Sequence, residues 1–148
     1  VSVLKSPSEE ALSAIHDAGI QIGLAFQIKD DLLDYQDKGI GKTKQHDIEE
    51  RKVTLPLLKA TANASPAEVK QVMRRFKRRR KSKNDIQWIL RFVEEHQGMK
   101  ESEEAMIQHV ERAMTTLSTH PDRRKDGDAA ETLKQFGQLI DFVIYRSV

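Results

Sequence analysis

Apolar residues recur along this chain at the three-to-four-residue spacing of helices, and no strand-like alternation competes with them. Val69, Val72, Met73 and Phe76 fall on one helical face. So do Ala105, Met106, Val110, Ala113, Met114 and Leu117, and again Phe136, Leu139, Ile140 and Val143. These stripes read as core, with Met106 and Met114 as adaptable fillers rather than ligands. Polar punctuation marks where the helices begin. Ser6-Pro7-Ser8-Glu9 and Ser65-Pro66-Ala67-Glu68 each place a capping Ser, a Pro at the first helical position and a Glu three residues on, while Asn84-Asp85-Ile86-Gln87 is a weaker form of the signal. The pattern predicts helices over roughly 7–36, 54–63, 66–81, 85–97, 100–119 and 127–146. Without an internal repeat or a low-complexity linker, residues 1–148 read as a single all-α unit.

One segment breaks the hydrophobic pattern. In GLAFQIKDDLLDY, Gly23 to Tyr35, three aspartates interrupt an otherwise apolar helix. At about 100° per residue, Gly23, Gln27, Asp30, Asp31 and Asp34 share one stripe about 100° wide. Leu24, Ile28, Leu32 and Tyr35 border it on one side, and Ile22, Phe26 and Leu33 on the other. A helix apolar on both sides of an acidic stripe is expected to be mostly buried, with its carboxylates facing a cavity. Unpartnered carboxylates are costly there. The negative end of the helix dipole adds about 0.3–1 kcal/mol of destabilisation for each. Something positive must offset this. Oxygen ligands at i, i+1 and i+4, without Cys or His, suit a hard cation such as Mg²⁺ bridged to phosphate oxygens. An acidic helix end neutralised by lysines is the simpler alternative.

Composition removes other chemistries. The 148 residues suffice for one domain, and the 25 Lys and Arg nearly cancel the 23 Asp and Glu, so no global field points to nucleic acid. The absence of cysteine excludes disulfides, thiolate metal sites and thiol nucleophiles, and fits a cytoplasmic location. No apolar run approaches the ~18 residues of a membrane span, and VSVLKSPSEE lacks a signal-peptide core. In 74–83, RRFKRRRKSK, eight of ten residues are basic. A solvated outer face is the expected reading, because Phe76 is its only stacking aromatic; an RNA or acidic-membrane contact is the alternative. Of His16, His46, His96, His109 and His120, only His46 lies near the acidic segment, and none shows metal-ligand spacing.

The stretch after the acidic helix, QDKGIGKTKQHDIEERK, brings Lys38, Lys42, Lys44 and Lys52 and a further acid, Asp47, close in sequence. Cations beside a metal-binding carboxylate cluster make sense with a polyanion between them. Gly41-Lys42-Thr43 is not a P-loop, since Gln36 stands where that motif needs glycine and a helix precedes it. Gly39 and Gly41 suit a loop that closes over a substrate.

These residues carry a resemblance. GLAFQIKDDLLD, Gly41-Lys42, Asp47 five residues after that lysine, and Lys52-Val53-Thr54-Leu55-Pro56 together resemble the second aspartate-rich region of the trans-isoprenyl diphosphate synthases, or polyprenyl synthetases. The resemblance implies the carboxyl-terminal part of an isoprenoid-synthase-type helical bundle. It implies Mg²⁺-dependent condensation of isopentenyl diphosphate with an allylic diphosphate, clamped between two aspartate-rich motifs. On that reading Asp30, Asp31 and Asp34 bind or orient the metal, and Asp47 acts through a bound water. Lys42 and Lys52 contact the diphosphate, and Phe26 and Gln27 line the allylic substrate. Arg51 stands where many members carry glycine, and Thr43-Lys44-Gln45-His46 replaces a more usual stretch. The first aspartate-rich motif and the isopentenyl diphosphate site, which belong to the family's amino-terminal half, have no counterpart in these residues. The expectation is therefore a fragment, inactive alone, that self-associates or joins its missing half through exposed apolar surface. A catalytically silent interaction subunit and a basic nucleic-acid binder are the alternatives.

Overall fold

The computed structural model describes residues 9–36, 46–119, 137, 138 and 140. Six helices follow in order: α1 Glu9–Gln36, α2 His46–Glu50, α3 Leu55–Asn63, α4 Pro66–Phe76, α5 Lys83–Glu95 and α6 Gly98–Thr119. The described residues contain no strand. The expected start at Pro7 and nearly all of the helix expected over 127–146 lie outside the described residues.

The chain divides into two compact units, Gln27–Met106 and the remainder, Val1–Phe26 with Ile107–Val148. In the second of these, Ala18, Ala25, Val110, Ala113 and Ile140 are buried, and His109 Nδ1 lies 2.7 Å from Gln21 Oε1.

In the unit Gln27–Met106, α5 packs against both α3 and α4. Their apolar faces, with Tyr35 and Ile48, form the core: Leu57, Ala60, Val72, Phe76, Ile86, Ile89, Phe92 and Val93. Burying each large side chain of this set contributes about 1.5–3 kcal/mol. The helix starts follow their capping chemistry. Ser65 Oγ accepts the Glu68 N–H at 3.4 Å while Glu68 Oε2 accepts the Ser65 N–H at 2.9 Å. Ser82, rather than Asn84, caps α5, because Asp85 is correctly spaced to reach back to the Ser82 N–H at 3.1 Å. The helix expected over 66–81 ends at Phe76. Beyond it the basic run offers no apolar position to bury, and like charges four residues apart repel on a helix. Buried Gly98 admits α6 against α3: a Cβ there would be driven into Pro56 O and would lie 3.0 Å from Ala60 Cβ.

Among the described residues, two other than glycine adopt left-handed backbone. Gln97, at φ 58°, turns the chain from α5 into α6, and Arg51, at φ 63°, turns it out of α2. The Arg51 turn is closed by the Lys52 N–H donating to Asp47 O at 2.8 Å and the Arg51 N–H donating to Ile48 O at 3.2 Å.

Candidate metal and diphosphate site

The end of α1, the short helix α2 and the link 51–54 build the candidate site around the acidic stripe. Its carboxylates have different partners. Asp31 is buried; its Oδ2 accepts the Leu55 N–H at 3.1 Å and its Oδ1 accepts from Gln27 Nε2 at 3.2 Å. Thr54 occupies the N-cap position of α3 without making a side-chain cap, and no acid stands at Leu57 to form a capping box. Asp31 supplies that missing function from α1, satisfying a helix-start amide.

Asp34 does the same for α2. Its two oxygens accept the N–H groups of His46, at 3.1 Å, and Asp47, at 3.3 Å. Partial burial, and secondarily the nearby Asp47 carboxylate, raises the Asp34 pKa, while the two amides oppose the shift. Asp47 is buried and accepts from Lys52 Nζ at 3.0 Å. That hydrogen bond holds the exposed Lys52 ammonium above its ordinary pKa.

Below this layer, Tyr35 OH and Thr54 Oγ1 meet at 2.9 Å with both side chains buried. Burial moves the Tyr35 pKa up. Neither residue was expected at the site. The signal available in the sequence was Thr54 itself, a capping residue before Leu55-Pro56 with no acid three positions on.

Asp30 differs from its neighbours. It is exposed and, among the described residues, forms no ion pair or side-chain hydrogen bond. The cavity-facing burial expected for the stripe is thus only partial, because Leu24, Phe26 and Leu33 remain 44%, 41% and 43% exposed while Ile28, Leu32 and Tyr35 are buried. Gln27 is exposed and reaches Asp31. Lys42, with Lys38 and Lys44, lies outside the described residues.

Among the described residues, no three acidic or histidine side chains gather closely enough to hold a metal ion by themselves. The donor set nevertheless fits a hard divalent cation that takes its remaining ligands from water and phosphate: among the described residues Asp30 is unengaged, and each Asp34 oxygen accepts a single hydrogen bond. A separate polar cleft of about 290 Å³, lined by Asn63, Glu95, His96, Gln97 and Glu101, contains none of these residues.

Comparison with known proteins agrees with the motif. The polyprenyl synthetase family profile matches residues 1–93. The short chain isoprenyl diphosphate synthase of Methanothermobacter thermautotrophicus is 30% identical over 150 residues, covering 98% of this chain and 42% of that protein. The octaprenyl diphosphate synthase of Escherichia coli is 30% identical over 119 residues, covering 79% of this chain and 36% of that protein. A polyprenyl synthase from Caulobacter crescentus, solved with calcium and isoprenyl diphosphate, superposes with a TM-score of 0.74 at 28% identity, covering 96% of this chain and 42% of that one. The chain therefore spans less than half the length of each of these relatives. Profile, sequence relatives and all-α fold agree: the chain belongs to the polyprenyl synthetase family.

Proposed function

We propose that this chain supplies one carboxylate jaw of a Mg²⁺-dependent prenyltransferase that joins isopentenyl diphosphate to an allylic diphosphate. The observation that carries the reading is the division of labour on α1. Asp31 and Asp34 are engaged by backbone amides, while Asp30 is exposed on the same helix, one turn from Asp34. The Caulobacter crescentus relative was solved with a divalent cation and an isoprenyl diphosphate, the ligand chemistry proposed here.

On this reading Asp30 holds the cation, with Asp34 beside it, and Asp31 fixes α1 against the start of α3. Asp47 orients Lys52 and reaches the cation through water. Lys52 and Lys42 donate to diphosphate oxygens, while Phe26 and Gln27 flank the allylic chain. Mg²⁺ held by these carboxylates would supply positive charge to offset that of the leaving diphosphate. The allylic C–O bond breaks with its electron pair leaving on the diphosphate, and Lys52 stabilises that developing charge. The isopentenyl double bond then attacks the allylic cation, and loss of a proton restores an alkene. No side-chain nucleophile is required.

One jaw cannot clamp a diphosphate by itself, so on this reading these residues act together with the family's other aspartate-rich motif. Leu12, Ile15, Ile20 and Leu24, exposed on α1, offer apolar surface for that association or for a second copy.

Titration calorimetry with an allylic diphosphate on the complete enzyme tests the reading. Binding should require Mg²⁺, vanish with a chelator, and weaken about tenfold or more in Lys52→Gln, the scale of one charge-assisted contact. Equal binding with and without Mg²⁺ contradicts it.

A further inference from the structure

The basic run 74–83 takes no part in the site just described, and the structure separates its members into two groups. Arg75, Arg78 and Lys81 have structural partners. Arg75 lies over the Trp88 ring at 4.2 Å, Arg78 Nη1 donates to Asp85 Oδ1 at 2.7 Å, and Lys81 Nζ donates to Arg78 O at 3.1 Å and Glu49 O at 3.3 Å. Burial, and then Arg51, lowers the Lys81 pKa. These contacts fix the six-residue turn 77–82 between α4 and α5.

Arg74, Lys77, Arg79, Arg80 and Lys83 are all exposed, and none forms an ion pair among the described residues. Asp85, the acid within the α5 start, is already occupied by Ser82 and Arg78. Five like charges, three on the turn and one on each flanking helix end, form a cationic rim that three other basic residues anchor.

We infer that Arg74, Lys77, Arg79, Arg80 and Lys83 form a docking surface for a bilayer containing anionic phospholipids. Charge complementarity selects an anionic partner, and the surroundings select a headgroup surface over RNA. Single-stranded RNA binding needs open aromatic faces. Phe76 is 2% exposed, and Arg75 already covers Trp88. With a formal net charge of only +2 the chain as a whole has little long-range attraction for a polyanion. A local rim acts within a Debye length of about 8 Å, the reach of a charged membrane surface. The inference does not depend on the transferase reading.

Co-sedimentation of the chain with vesicles tests it. Vesicles of phosphatidylcholine and phosphatidylserine should retain the protein, vesicles of phosphatidylcholine alone should not, and rising salt should release it. Each neutralised Lys or Arg should lower partitioning about fivefold, so Arg79→Gln/Arg80→Gln/Lys83→Gln should lose about 100-fold. Arg79→Lys/Arg80→Lys/Lys83→Arg should bind as the parent does. Because these side chains are exposed and, among the described residues, form no side-chain hydrogen bond or ion pair, helical circular dichroism should not change; Arg74→Gln/Lys77→Gln provides a second variant on the same rim. Equal binding to neutral vesicles, no binding to anionic ones at low salt, or tighter binding to polyuridylate than to anionic vesicles would overturn the inference.

Discussion

Arg51 occupies a backbone position that favours glycine. At φ 63° it closes the turn from α2 into the Lys52 link, and it adds positive charge beside the partly buried Lys81. Left-handed backbone costs an L-residue about 1–2 kcal/mol. Glycine returns about 0.5–1 kcal/mol of that as extra unfolded-chain entropy. Arg51→Gly should therefore stabilise the protein by about 0.5–1 kcal/mol, read as a higher denaturation midpoint at unchanged slope. A lower midpoint would mean that the Arg51 side chain contributes more than its backbone costs. The departure from glycine noted in the sequence thus coincides with a real conformational demand.

At the scale of elements, buried polar contacts tie α1 to its neighbours. Tyr35 and Thr54 join α1 to the start of α3. Tyr35→Phe leaves the buried Thr54 hydroxyl without its partner and should cost about 1–3 kcal/mol. Tyr35→Phe/Thr54→Val should cost clearly less than the sum of the two single changes, because neither hydroxyl is then left unpaired. Additive losses in a double-mutant cycle would show that the two side chains do not act as a pair. The α5 start gives a pH signature. The Ser82 backbone N–H, and next the Arg78 guanidinium, hold Asp85 below its ordinary pKa. A depressed carboxylate contributes stability above its unfolded pKa and loses it as pH falls through the folded one. Below the usual aspartate value of about 3.9, the parent protein should therefore lose stability more steeply than Asp85→Asn. Parallel denaturation curves would contradict this.

The same elements show what the sequence could reveal. Local signals located α3 to α6, because Ser65 with Glu68 and the apolar spacings act within a turn or two. The five-residue α2 was missed because its amides are satisfied by Asp34, twelve residues from His46. The end of α4 was misjudged because arginine and lysine suit a helix locally, while burial decides where one stops. The acidic stripe was legible from angular spacing alone. The separation of exposed Asp30 from amide-bound Asp31 and Asp34 was not, since Leu55 and His46 reach the stripe only through tertiary structure.

At the scale of the whole molecule, α1 carries anchored carboxylates towards its end and exposed apolar residues along its length, and a cationic turn joins α4 to α5. Membership of the polyprenyl synthetase family is the ground on which prenyl transfer is proposed for this chain. Asp30 is the residue on which the account turns, because its exposure makes it dispensable for folding while the proposed chemistry makes it indispensable for catalysis. The decisive measurement is Mg²⁺-dependent incorporation of labelled isopentenyl diphosphate by the complete enzyme carrying Asp30→Ala, alongside its thermal unfolding. The rate should fall by about 10²–10³-fold or more, the scale of one preorganised electrostatic group, with the unfolding midpoint unchanged. Near-parental incorporation by a folded Asp30→Ala enzyme would contradict it.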